Sequence, residues 1–209
     1  MQLPPVRTWG EHYVAARTAP RGDEPEVWRF LAARDGTVVS LVPSVAVIPV
    51  LDEGELFEIE APGDFEIFAN KPILVGQFLA SSQAPGPGVH TGDAGIGDPA
   101  FSIGVPVEQF RSDYVFLAAP KFVGSFVTAV VPTGVSLTLD GMVVEDAGTP
   151  VGTGEFSNVT LAVSEGAHQI HAEAPFGITV YGFDNYVSYA YPGGMNLEDL
   201  KHVTVPDGL

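Results

Sequence analysis

The stretch Gly86-Pro87-Gly88-Val89-His90-Thr91-Gly92-Asp93-Ala94-Gly95-Ile96-Gly97-Asp98-Pro99 places two carboxylates, Asp93 and Asp98, in a glycine-rich loop. Carboxylate oxygens with backbone carbonyls between them are the hard ligands that Ca²⁺ takes, so Asp93 and Asp98 are its candidate ligands. The competing expectation is a connecting loop in which Asp98 opens the turn before Pro99, because the closer acidic spacing and bidentate Glu of an EF-hand loop are missing. A second group is the aromatic run Tyr181, Phe183, Tyr186, Tyr189 and Tyr191. Flat rings stack on sugar faces while their hydroxyls hydrogen-bond, which makes Tyr186, Tyr189 and Tyr191 candidate ligand-binding residues. Packing at the end of a sandwich is the alternative for the same rings. Arg21-Gly22-Asp23 is a tripeptide that integrin-type receptors recognise, against which stands a solvated turn with Gly22 supplying the backbone angle. His168 and His171 fall on opposite faces of a strand and cannot share one metal. Glu58 and Glu60 share a strand face and imitate a glycosidase pair, although two exposed carboxylates on a sheet are ordinarily a solvated surface. The chain has no Gly-x-Ser-x-Gly elbow, phosphate loop or zinc-binding pair, and is expected to be non-enzymatic, with no catalytic residues.

The elements that must position these residues are strands. Segments of four to nine residues rich in Val, Ile, Phe, Tyr and Thr, bounded by Gly, Pro, Asp or Asn, recur from end to end. They predict strands near 11–18, 26–33, 37–42, 45–50, 55–60, 64–69, 73–80, 100–105, 113–118, 122–131, 135–139, 156–163, 168–173, 177–183 and 186–191. Helical turns are expected only near Val107 to Phe110 and in the tail around Asn196 to His202.

An internal repeat organises the strands. Pro5-Val6, Trp9 and Tyr13-Val14 are matched at a constant offset of 101 by Pro106-Val107, Phe110 and Tyr114-Val115. Each half closes alike, Lys71-Pro72 leading through Ile73 to Gln77-Phe78 and Ala174-Pro175 leading through Ile178 to Gly182-Phe183. The expected fold is all-β, two tandem, internally duplicated β-sandwich units: 1–85 the first unit, 86–103 a Gly/Pro-rich connecting loop and start of the second, 104–194 the second unit, and 195–209 a C-terminal tail. In that frame Trp9 and Phe110 plug equivalent sandwich ends.

Composition narrows the partners. Across 209 residues, 26 acidic against 9 basic side chains give a formal charge of −17. A polyanion cannot be neutralised by so few cations, so nucleic acid is excluded, and an anionic membrane surface would repel the chain. The longest apolar run, Val45 to Leu51, is far shorter than the roughly 20 residues of a membrane helix, so no direct membrane insertion is expected. Cysteine is absent, which removes disulfides and thiolate chemistry. The N-terminus lacks signal-peptide features, and the chain reads as an excised piece of a longer protein.

Five ordered motifs carry a family resemblance: Leu3-Pro4-Pro5-Val6 with Trp9-Gly10; Pro72 to Phe78; Gly97-Asp98-Pro99-Ala100; Val105 to Phe110; and Tyr181-Gly182-Phe183 with Ser188 to Gly194. Over nearly the whole chain this pattern resembles the IgG Fc-binding protein N-terminal domain family. The resemblance implies an extracellular, β-rich module of a large secreted or surface protein, used for binding or adhesion toward protein or glycan ligands. The lack of cysteine-rich neighbours implies a bacterial surface setting. No cofactor is expected, with Ca²⁺ the one possibility raised by the loop at Asp93 and Asp98. A structural spacer and an accessory domain of a polysaccharide-acting hydrolase are the alternative functions.

Overall fold

The computed structural model describes residues 3–22, 24–83 and 96–200. Its elements are fourteen strands and two single 3₁₀ turns, so the fold is all-β. The first unit contains β1 (Gly10–Ala15), β2 (Glu26–Ala32), β3 (Val39–Val42), β4 (Leu56–Ala61), β5 (Phe65–Phe78) and β6 (Phe101–Ile103). The second contains β7 (Arg111–Ala118), β8 (Gly124–Pro132), β9 (Leu137–Leu139), β10 (Met142–Val143), β11 (Thr149–Val151), β12 (Phe156–Val163), β13 (Gly166–Asp184) and β14 (Val187–Pro192).

Both units hang on one long strand that changes sheets. The first part of β5 pairs with β1 and β3, while its last part, Ile73 to Phe78, pairs with β2 and β6. Likewise β13 pairs with β7 and β9 through Gly166 to Ala172, and with β8 and β14 from Gly177 onward. Pro72 and Pro175 sit where the strand crosses. A bend between sheets is where a missing N–H does least harm to a ladder, so these prolines are tolerated inside a strand. The sequence pattern reads each proline as a break and expects two strands, at 64–69 and 73–80 and again at 168–173 and 177–183; the structure joins each pair into one.

The repeat extends to hydrogen bonds. The Tyr13 hydroxyl accepts from Gly10 N–H and donates to Ile73 C=O, and the Tyr114 hydroxyl accepts from Arg111 N–H and donates to Phe176 C=O. Each tyrosine ties the start of a unit to the crossing point of its long strand. The 3₁₀ turn expected near 107–110 is present as Val107–Gln109, and its counterpart Val6–Thr8 forms the same turn one repeat earlier. Trp9 packs on Leu74 and Ala33, while Phe110 packs with Ala16, Val130 and Phe156 between the units.

Three further expectations are corrected, and two short strands are added. Residues 45–50 are extended but join no ladder; Ala46 and Ile48 lean on the first core while Val45, Val47 and Val50 face solvent. Alternation alone cannot say whether an extended segment finds a backbone partner. The short strands β10 and β11 escape sequence reading because two or three residues carry no period. Asn196 to Leu200 form no helical turn; their backbone instead bonds to Gln109 and Arg7. The strand at 101–103, expected to open the second unit, hydrogen-bonds to Gly76 to Phe78 of β5.

Each unit has its own core, around Phe30, Phe65, Ile67 and Ile73 in the first and Val127, Ile170, Phe176 and Val180 in the second. A third apolar cluster and a fourth around Leu79, Tyr181 and Phe183 join them. The two units therefore share buried surface.

Candidate functional site

Asp98 is exposed, and its N–H donates to Ser188 Oγ at 2.8 Å, fastening the incoming chain to β14. Asp93 lies outside the described residues, as do Asp23, His90 and His202. Among the described residues no three His, Asp or Glu side chains gather in a group able to hold a metal ion.

Tyr189 and Tyr191 are half-buried against the second core and stack on each other at 6.2 Å. The Tyr189 hydroxyl accepts from Ala119 N–H and donates to Ser125 Oγ; the Tyr191 hydroxyl accepts from Leu117 N–H and donates to Leu117 C=O. These bonds cap backbone groups at the outer edge of β7, which would otherwise be free to pair with another chain. Their polar ends are thus engaged within the molecule. Tyr186 occupies the β13–β14 turn at φ 52° with half its surface exposed. The structure therefore does not bring the three tyrosines together as one open platform.

Arg21 is a packing residue. Its guanidinium donates to Ile96 C=O at 2.5 Å and Ala80 C=O at 2.7 Å, pairs with Glu24 at 3.4 Å and lies 4.7 Å from the Phe183 ring centre. The head group that an integrin-type receptor would need is consumed internally.

His168 is buried, stacked on Phe116, with Nδ1 2.7 Å from Asp140 and Nε2 2.8 Å from Ser164 C=O. Both partners only accept, so the ring satisfies both when it carries two protons. Burial pulls its pKa down, but the bonds to Asp140 and Ser164 outweigh this and leave it raised above 6.5. His171, on the opposite face as expected, is 2.7 Å from Asp113 and 3.7 Å from Glu173, and is also raised, chiefly by Asp113. A raised folded-state pKa gives stability that is fully present below about pH 6.5 and is lost as pH climbs through the folded value. The melting temperature is expected to fall as pH rises above about 6.5, and less steeply in His168→Asn. Equal slopes in both proteins would remove His168 as the cause.

Sequence reasoning missed the polar seam between the units. Glu66, fully buried in β5, accepts from Thr153 N–H at 2.6 Å and sits 3.3 Å from His12 Nε2. Glu108 Oε1 accepts from Glu11 and His12 N–H, and Gln109 Nε2 donates to Thr8 C=O. The Tyr181 hydroxyl accepts from Ala19 N–H, and Asn158 donates to Asp64. Within the first unit, Glu26 accepts from Thr18 and from Gln77, and burial raises its pKa. A signal was present: Arg7-Thr8 and Glu108-Gln109 are equivalent positions of different type. Where two halves with one framework diverge, the divergent side chains specify how the halves meet.

The acidic pair Glu58 and Glu60 lies on the exposed face of β4. Glu58 is held by Arg29 at 2.6 Å, with both side chains exposed. β4 is the terminal strand of its sheet, bonded to β2 and, among the described residues, to no strand on its other side. What the molecule offers chemically is two units joined by buried surface, an excess of acidic side chains and, among the described residues, an open sheet edge.

A family model described as IgGFc binding protein matches residues 1–182. No curated protein matches. Among solved structures, an anti-sigma factor domain-containing protein from Clostridium clariflavum is similar at 14% identity over 87% of this chain and 81% of that one, with a TM-score of 0.25. Another anti-sigma factor domain-containing protein is similar at 9% identity over 87% and 82%, with a TM-score of 0.24. At these TM-scores neither likeness bears on fold or function.

Proposed function

The chain belongs to the IgGFc-binding protein family, and from that premise we propose that it is a non-enzymatic, extracellular protein-recognition module of a larger secreted or surface protein. The family match over residues 1–182 is the observation that carries this reading. The physical character of the molecule supports it. Cores and seam fix the two units against each other, so loops and edges are presented without an ordering cost on binding. No helix among the described residues is long and apolar enough to cross a membrane. The charge of −17 keeps such a module soluble and favours partners with basic surfaces.

The test is binding of the intact chain to a panel of secreted and cell-surface proteins that includes immunoglobulin Fc, beside a glycan array. Saturable binding to a protein at about 10 µM or tighter is expected. A panel with no saturable protein ligand below about 1 mM would overturn the reading. Repeating the titration with Ca²⁺ and with excess chelator tests the calcium role of Asp93 and Asp98; an unshifted melting transition with no Ca²⁺ uptake removes it.

A further inference from the structure

We propose that the outer edge of β4 is a docking site for an extended segment of a partner protein, which adds to the sheet as an antiparallel strand carrying basic side chains opposite Glu58 and Glu60. This deepens the proposed function and rests on its protein-recognition reading.

The two units themselves supply the comparison. In the first, Ala32 N–H donates to Glu55 C=O; in the second, Thr133 N–H donates to Glu155 C=O. These bonds align β4 on β12, Leu56 with Phe156, Glu58 with Asn158 and Glu60 with Thr160. In an antiparallel ladder, residues alternate between those bonded to one neighbour and those bonded to the other. With Glu55 bonded to β2, the N–H and C=O groups of Leu56, Glu58 and Glu60 point away from it. On β12 the equivalent edge is covered by β11, in the register Thr149 to Asn158 and Val151 to Phe156. On β4 no described strand takes that place. The second unit therefore carries its own example of the missing strand, antiparallel and short.

Charge decides what occupies it. Leu56, Glu58 and Glu60 form the exposed face of β4, and Asp52, Glu53 and Glu55 precede them in the turn. Among the described residues, Arg29 and Arg34 answer Glu58 and Glu53 only. Directly opposed side chains on one face interact, and like charges there destabilise. A second copy of this chain would set glutamates against glutamates between two bodies of charge −17 each. An incoming strand with Lys or Arg on that face and apolar residues on the other meets Glu60 and Glu58 outside, and half-buried Phe57 and buried Ile59 inside. Main-chain bonds then give affinity and the alternating side chains give selectivity.

The probe is an acetylated, amidated peptide of alternating lysine and valine, with alternating glutamate and valine as control, added to the intact chain and followed by amide hydrogen exchange. At saturation the amides of Leu56, Glu58 and Glu60 are expected to slow by about tenfold or more, while Phe57, Ile59 and Ala61, already bonded to β2, do not change. Glu60→Lys is expected to weaken the lysine peptide by about tenfold. Glu58→Pro removes an outward N–H and abolishes binding; if it fails to fold, Glu60→Lys carries the test. Protection elsewhere, equal binding of the control, or binding unchanged in both variants would overturn the proposal, as would protection of the same amides by rising chain concentration without peptide, which would assign the edge to a second copy. A protein ligand bound equally by wild type and Glu58→Pro leaves the proposed function standing and removes this edge from it. Peptide capture in this register without any protein ligand does the reverse.

Discussion

Replacing Arg21 by alanine is expected to destabilise the protein by about 3–5 kcal/mol, because it removes one of the two guanidinium partners of buried Glu24 and breaks a buried ion pair. Arg21 and Glu24 are only 9% and 4% exposed, and Glu24 would retain Arg17 alone, at 3.5 Å. The same change orphans the carbonyls of Ile96 and Ala80 and uncovers the Phe183 ring. For a chain of this size the melting temperature should fall by about 6–20 °C. Lysine should not restore it, since a single ammonium on a flexible stem does not reproduce a planar fork that spans two carbonyls. Exposed Arg111, changed to alanine, is the control and should stay within about 0.5 kcal/mol. A near-neutral Arg21→Ala variant that loses a ligand would instead restore a recognition role for the tripeptide. The expected pattern is loss of binding in step with loss of fold.

Tyr13→Phe and Tyr114→Phe are expected to cost about 2–4 kcal/mol each, since each hydroxyl serves two backbone groups and its removal leaves a donor and an acceptor without a partner. Tyr13 is 1% exposed and Tyr114 4%, so water does not readily replace the lost bonds. The two variants probe different units, and what their melting curves share is informative. Clusters around Phe110 with Phe156 and around Tyr181 with Phe183 tie the units together, so both substitutions should lower one common transition. Two transitions, only one of them moved by each variant, would show that the seam is too weak to couple the units.

These positions also mark how far the sequence can be followed. The offset of 101 that pairs Tyr13 with Tyr114 and Trp9 with Phe110 is visible in the residues, and the structure gives both tyrosines the same two bonds. The aromatic run of the last strands was equally visible, but its use was not. Tyr189 and Tyr191 turn their hydroxyls onto the edge of β7, a choice made by a neighbour some seventy residues away. The acidic pair Glu58 and Glu60 was legible as a shared face; that β4 ends its sheet there was not.

Strand content, the doubled framework and the acidic surface were set by local composition and period, because β-propensity, turn chemistry and net charge act over a few residues or over the chain as a sum. Which prolines end a strand and which merely bend it, where Arg21 spends its donors, how Glu66 and Glu108 join the two halves, and which edge stays open were decided only in three dimensions. Each depends on a backbone or side-chain partner distant in the chain, and hydrogen-bond satisfaction is a property of neighbours in space.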